Sequence, residues 1–212
     1  LPPADSTWKP GDDPARLCKV EQPQRADAGL LAAVANAEIG RVAAAAMGAE
    51  AFVQVWWVQL LLKPGAAGVD GPQVGWHQDL SYWGNWAEGS ELATAWLALS
   101  EVDEEAGPMR FVPGSHAWGL RPGGDFYGQE PDVLRERLGA GREWREVPAT
   151  LPPGGFSLHH RLLIHGSGAN VGPRDRLSLA LHLRTEKSRV AEGAWEARYL
   201  GDPAVCPVIW RA

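Results

Sequence analysis

The chain has 212 residues, 45% of them hydrophobic, with 20 Lys and Arg against 26 Asp and Glu and a formal net charge of −6. One domain with a real core is expected at that length, and the acidic balance argues against a nucleic-acid binder or a chain held on anionic membranes by bulk charge. Two cysteines, Cys18 and Cys206, exclude a disulfide scaffold and a Cys-rich zinc module; the longest apolar run, around Val55 to Leu62, has the length of a strand rather than a membrane span.

Residues 1–26 are rich in Pro, Asp and charge, lack a steady period, and read as a loop or irregular arm. From Asp27 the period becomes helical. Leu30, Leu31, Val34, Ile39 and Val42 fall at helical spacing within Ala28 to Met47, with Asp27 as N-cap, Gly48 as the stop and Gly40 as the point that divides the stretch into two helices. Phe52 to Lys63 is β-branched and aromatic, closed by Pro64-Gly65, and reads as a strand, as do Leu92 to Leu99 and Met109 to Val112. Gly119 to Gly141 is a Gly/Pro-rich excursion holding one helix, Asp132 to Leu138. Phe156 to His165 reads as a strand or strand pair, Arg176 to Thr185 as the clearest strand, and Tyr199 with Val208-Ile209 as an added edge. Helices first and strands after, separated by Gly/Pro turns, favour an antiparallel barrel or sandwich with flanking helices over a βαβ fold. The expected organisation is a single domain over 1–212: an arm and helices over 1–50, and a β core over 51–212 with an insertion near 119–146. No Gly-rich phosphate loop follows a strand. Eleven tryptophans outnumber four Phe and three Tyr; most are expected in the core, the rest in a small-molecule pocket.

The chemistry-bearing residues start at Trp76-His77-Gln78-Asp79. On an extended segment His77 and Asp79 point to one face and can offer two ligands to a divalent metal. Taken alone, this triplet also fits a turn with an exposed Asp. His165 ends an apolar strand that runs into Gly166-Ser167-Gly168, a position suited to the mouth of a barrel; taken alone, it also fits a satisfied core histidine. Two His and one carboxylate together make the open-faced set of non-haem Fe(II) oxygenases. The strand from Arg176 alternates: Leu177, Leu179, Leu181 and Leu183 share one face, and Arg176, Ser178, Ala180, His182 and Arg184 the other. If the polar face lines a lumen, Arg176 and Ser178 can hold a carboxylate; otherwise it is a solvent-exposed stripe.

These motifs, in this order, resemble the phytanoyl-CoA dioxygenase family of Fe(II)- and 2-oxoglutarate-dependent oxygenases. The likeness spans roughly Phe52 to Thr185. It rests on Leu-Lys-Pro-Gly at 62–65, His-Gln-Asp at 77–79, Thr-Ala-Trp-Leu-Ala-Leu at 94–99, Val-Pro-Gly-Ser-His at 112–116, His-Gly-Ser-Gly-Ala-Asn at 165–170, and Arg176, eleven positions after His165. The resemblance implies a mostly β fold with flanking helices, a double-stranded β-helix of the cupin-like jelly-roll kind. It implies Fe(II) on His77, Asp79 and His165. It also implies that 2-oxoglutarate has its distal carboxylate on Arg176, with Ser178, Lys63, Gln59, Trp96 and Ser167 around it. Pro113, Gly114, Ser115 and His116 are expected to fix a turn. The implied reaction consumes O2 and releases succinate and CO2 while oxidising a substrate C–H, and the presence of Asp79 points by that resemblance to hydroxylation or another oxidation (desaturation, ring formation) rather than halogenation.

Substrate contacts are expected from Tyr82, Trp83 and Trp86, from Phe126 (with Tyr127) in a lid, and from His159 and Arg161 if their strand runs regularly to His165. The expected partner is a small, partly apolar metabolite, with no nucleic acid or membrane, in a cytoplasmic chain that is a monomer or homodimer. Residues 1–26 do not clearly match the segment that helps wall the site in the family, so an incomplete substrate wall is expected. Two other classes fit parts of the pattern. A zinc-dependent hydrolase or isomerase on a cupin-like barrel uses the triad but leaves Arg176 without a role. A non-catalytic binding barrel leaves the triad without one.

Overall fold

A computed structural model describes residues 5–6, 9, 11–13, 16–65, 71–194 and 198–212; Trp8 and Trp195 lie outside them. The larger sheet has seven antiparallel strands: β1 (Asp5–Ser6), β2 (Cys18–Glu21), β3 (Phe52–Lys63), β10 (Arg176–Thr185), β5 (Leu92–Ala98) and β8 (Phe156–His160) in that order, with β11 (Val208–Arg211) also paired to β3. The smaller sheet runs β4 (Val74–His77), β9 (His165–Ser167), β6 (Met109–Phe111) and β7 (Val147–Ala149). Leu61, Trp96, Ala98 and Ala180 of the first pack on Met109 and Phe111 of the second, so the sheets face each other as in a jelly roll.

The Leu face of β10 turns outward. Leu179, Leu181 and Leu183 are fully buried against Val53, Val55, Ala93 and Ala95 and against helices α1 (Ala28–Val34) and α2 (Ala37–Met47). Burying such side chains stabilises by about 1.5–3 kcal/mol each. The opposite face of β10 is the inner one, so the polar stripe from Arg176 to His182 is lumen and not solvent surface.

Four sequence expectations are corrected. The helical stretch divides at Ala35, not at Gly40, because the Asn36 side chain accepts from the Glu38 and Ile39 N–H groups and starts α2. Gly40 lies inside α2, where a Cβ would sit 2.2 Å from the Ile209 carbonyl oxygen, so it admits β11 rather than breaking the helix. The whole span Ala28–Met47 is long and apolar enough to cross a membrane, a feature the apolar-run reading missed; in the structure it is broken in two and packs on the large sheet. The arm is not irregular throughout: Cys18–Glu21 pairs with Gln59–Leu62 of β3, an edge too short to announce itself by period. Tyr199 lies in a 3-10 segment, leaving Val208–Arg211 as the added strand.

Phe156 to His165 is a strand pair, one member in each sheet, joined by a turn at Arg161–Leu162. Helix α3 (Pro131–Gly139) sits in the predicted excursion, which is stitched to β4: Gly75 N–H donates to Phe126 O and Asp125 N–H to Trp76 O. Gly75 makes this approach possible, since a Cβ there would fall 2.2 Å from Asp125 O.

Candidate functional site

His77 closes β4 and His165 opens β9, and the two are register partners across the small sheet. Asp79 follows one extended residue later, at the first turn of a short 3-10 helix. Ligand atoms of His77, Asp79 and His165 lie within 4.8 Å of one another, and all three residues are buried. Main-chain carbonyls set the rings: Gly75 O is 2.8 Å from His77 Nδ1 and Leu163 O is 2.9 Å from His165 Nδ1. Each ring therefore holds its proton on Nδ1 and aims Nε2 inward, 3.8 Å and 3.6 Å from Asp79 Oδ1.

The other carboxylate oxygen is occupied. Thr94 Oγ1 donates to Asp79 Oδ2 at 2.7 Å, and His159 Nε2 lies 3.2 Å from the same atom, which leaves Oδ1 facing the two imidazoles. Burial pushes His77 below its ordinary value and His165 well below it, so both rings are neutral donors of a lone pair. Burial alone would raise the Asp79 carboxyl, but the neighbouring rings of His165, His159 and His182, with the His159 hydrogen bond, bring it well below the usual carboxylate range. Two neutral imidazoles and one carboxylate that turn three free electron pairs to one point suit a divalent cation.

Neighbouring motifs hold this frame. Gln78, on the opposite face from its neighbours, donates to Gly119 O and Leu162 O and accepts from Arg121 N–H. Ser115 accepts from Ile164 N–H at 2.8 Å, fixing the residue before His165; the Val-Pro-Gly-Ser-His turn thus positions the second histidine. Asn170 donates to Lys63 O and Arg174 O and ties down the loop that leads into β10.

Behind the triad lies a small cavity of about 30 Å³. Arg176 at its deep end and Lys63 behind it are 1% and 0% exposed, and neither has a carboxylate partner among the described residues. Arg176 Nη1 donates to Gly107 O, its guanidinium lies 5.1 Å over the Trp96 ring, and its Nε has no partner. Trp96 Nε1 is likewise buried and unpartnered. Burial pushes Arg176 down to about 9. Burial, then the Arg176 charge, holds Lys63 well below its ordinary value. A buried guanidinium without a carboxylate partner and two orphan donors, with Lys63 one side chain behind, call for an anion with several acceptor oxygens.

The phytanoyl-CoA dioxygenase (PhyH) family matches residues 5–178. The chain belongs to that family. It is 31% identical over 124 residues to phytanoyl-CoA dioxygenase domain-containing protein 1 of Bos taurus, a match that covers 53% of this chain and 40% of that protein. The chain spans about two fifths of the length of the curated relatives it matches. Among solved structures it resembles the non-haem α-ketoglutarate-dependent carbocyclase SnoK, at TM-score 0.70 and 21% identity, over 96% of this chain and 79% of that one. It also resembles the epimerase SnoN in complex with Fe3+, α-ketoglutarate and nogalamycin RO, at TM-score 0.67 and 22% identity, over 88% and 70%. At these identities the likeness is one of fold: a mostly β, cupin-like jelly roll with flanking helices.

Within this PhyH fold the remaining sequence candidates fall in different places. Gln59, Trp96, Ser167, Arg176, His159 and Phe126 line the cavity. Lys63 does not line it; its Nζ donates to Ser167 Oγ at 2.6 Å and to the Gly168 carbonyl, so it stands one side chain behind. Ser178 is buried with its hydroxyl on Leu61 O at 3.3 Å. Tyr82 and Trp83 line the outer mouth with Tyr127, and Tyr82 Oη accepts from Phe126 N–H, tying the mouth to the excursion. Trp86 packs at 5.3 Å against Trp56 in an aromatic cluster and lines none of the cavities described here. Arg161 sits in the turn between sheets: the strand parity that would align it with His165 is broken there, and it does not line the cavity.

Sequence reasoning overlooked Thr94, His182, Lys19 and Glu21. Strand β2 brings Lys19 to the mouth, 5.0 Å over the Phe126 ring and 3.0 Å from Glu21, so the arm contributes to the wall there. Thr94 and His182 carried a usable signal, since both lie on strands at the parity of the lumen face.

Proposed function

We propose that this chain is an Fe(II)- and 2-oxoglutarate-dependent oxygenase that hydroxylates a C–H bond of a small, partly apolar molecule. The observation that carries the reading is the pairing of an inward-facing His–Asp–His set with a pocket in which Arg176 has no carboxylate partner, and Arg176 Nε and Trp96 Nε1 no hydrogen-bond partner, among the described residues. His77 Nε2, Asp79 Oδ1 and His165 Nε2 would hold the metal, and the family likeness supports iron there. Arg176 and Trp96 would take the distal carboxylate of 2-oxoglutarate, with Lys63 acting through Ser167.

When bound, iron supplies the activation of O2, and the balance is one C–H, one O2 and one 2-oxoglutarate to one C–OH, one succinate and one CO2. The chain's own work is positional. Thr94 and His159 keep Asp79 Oδ2 engaged, so that Oδ1 remains the ligand atom. Phe126, 5.2 Å from the His77 ring, and Tyr82, 5.9 Å from it, cover the outer side and limit water. Retention of a carboxylate at Asp79 favours hydroxylation over halogenation. A hydrolase on the same triad would leave the Arg176 pocket unexplained.

Anaerobic titration with Fe(II) and 2-oxoglutarate tests the reading. A weak visible metal-to-ligand band is expected only when both are present, and much weakened in Arg176→Ala. Metal-replete protein without that band would overturn it.

A further inference from the structure

His182 stands where the metal-side cavity, the mouth and a cleft lined by Trp56, Trp57 and Asn85 meet. Its ring packs 4.9 Å from Trp83 and 5.4 Å from Trp56. A bulge in the β3–β10 register after His182 gives β3 the extra residue, Trp56, beside Trp57. His182 Nδ1 lies 2.9 Å from Thr94 Oγ1, which in turn donates to Asp79.

A proton count along this relay sets the tautomer. An ionised carboxylate only accepts, so the single Thr94 hydroxyl proton goes to Asp79 Oδ2. The Thr94 oxygen must then accept from His182, which places the ring proton on Nδ1. Burial keeps the ring neutral, at about 4. Nε2 is left as a lone-pair acceptor; the ring's one hydrogen bond among the described residues is at Nδ1, and the ring opens on the cavities. Gln59 borders the same three spaces and behaves alike: its Nε2 donates to Glu21, leaving Oε1 as an acceptor. Glu21 is already engaged by Lys19, Trp57 and Gln59.

We infer that His182 Nε2 is a specificity-determining acceptor that receives a hydrogen bond from a hydroxyl or N–H group on the substrate, whose apolar part lies against Trp83 and the Trp56–Trp57 pair. The inference rests on the oxygenase reading for the chemistry that follows binding. Its test uses Zn(II)-loaded protein without iron, cosubstrate or turnover, so either can fail alone.

Protein labelled with 15N-histidine is titrated with two matched probe pairs, indole against 1-methylindole and benzyl alcohol against benzyl methyl ether. We expect His182 to carry its proton on Nδ1. The donor-bearing member of at least one pair should bind about tenfold tighter, the scale of one hydrogen bond made rather than missed, and should move the Nε2 resonance. The pair that responds assigns the donor as N–H or O–H. His182→Asn can still donate to Thr94 but stops short of the cleft, and should lose the preference. His182→Gln, whose amide reaches the Nε2 position, should restore part of it. A proton on Nε2, no binding of any probe, equal affinity within both pairs, or a preference that survives in His182→Asn overturns the inference. If His182→Asn does not fold, the wild-type tautomer and the pair preference decide alone.

Discussion

Strand β10 separates two interiors that are equally dry and differently filled. On its outer face Leu179, Leu181 and Leu183 meet Val53, Val55, Ala93 and Ala95, with α1 and α2 closing over them. On its inner face Arg176 and His182 line the cavity, and Ser178 is buried beside them. The outer face is complete within the chain, because each apolar surface finds another. The inner face keeps a guanidinium Nε and the nearby Trp96 Nε1 without partners. Desolvated charge is stabilised only by opposite charge or hydrogen bonds. A face that leaves a buried guanidinium without a carboxylate, and with its Nε unpaired, is shaped for an acceptor that the described residues do not supply. Packing identifies the fold, and unmet polarity identifies the site.

That contrast breaks most sharply at Asp79. Asp79→Ala should abolish succinate formation and weaken Fe(II) binding on the order of 100-fold or more, with the circular dichroism spectrum unchanged; full activity would refute the metal assignment. On the outer face the effect should be reversed in kind. Leu181→Ala should cost about 2–5 kcal/mol of stability, read as a lower Tm, and leave the Kd for 2-oxoglutarate as it was. Arg176→Met should separate the two roles within one residue. It should weaken 2-oxoglutarate binding ten- to a hundredfold, about 1.5–3 kcal/mol, and raise the Tm of ligand-free protein by removing an unpaired buried charge.

Acid should act through the inner face before the outer. His182 titrates near 4 when folded, while an unfolded histidine titrates near about 6.5. Its neutral burial therefore supports the fold fully above about pH 6.5. That support is lost as pH falls towards 4, at about 1.4 kcal/mol per unit. Chemical denaturation of metal-free protein across pH 7 to 4 should show this slope added to those of His77 and His165, which burial also lowers, and His182→Gln should reduce the total by the share of one proton. The smallest effect belongs to Glu186, at the far end of β10. Its carboxylate accepts from Glu50, Ala51 and Phe52 N–H groups, which hold it down to about 2. Glu186→Gln should cost no more than about 1 kcal/mol at pH 7, since the group is near solvent. The deficit should vanish as pH falls from about 4 towards 2, where the wild-type carboxylate is protonated as well.

Much of the architecture was legible because it follows from period. The four-Leu alternation set the faces of β10, the aromatic β-branched run set β3, and Asp27 and Gly48 bounded the helical stretch. The candidate metal set was legible as motif and spacing, and Arg176 as the residue eleven positions after His165. Elements without a period of their own were not. Strand β2 is four residues long and exists through pairing with β3. The break at Asn36 depends on one side chain choosing two N–H groups. The turn at Arg161 switches sheets and voids any parity argument carried across it.

The sequence by itself determined which residue types alternate, which glycines and caps punctuate them, and that two histidines, a carboxylate and an arginine occur in a recognisable order. Only the tertiary structure decided that the arm brings Lys19 to the mouth, that Trp86 packs into an aromatic cluster while Trp83 faces the mouth, and that Lys63 stands behind Ser167. The same is true of the relay from Asp79 through Thr94 to His182. The physical reason is range. Period, caps and turns are properties of neighbours along the chain, whereas a hydrogen-bond proton is assigned only when every donor and acceptor around it, from β5, β8 and β10 alike, is in place.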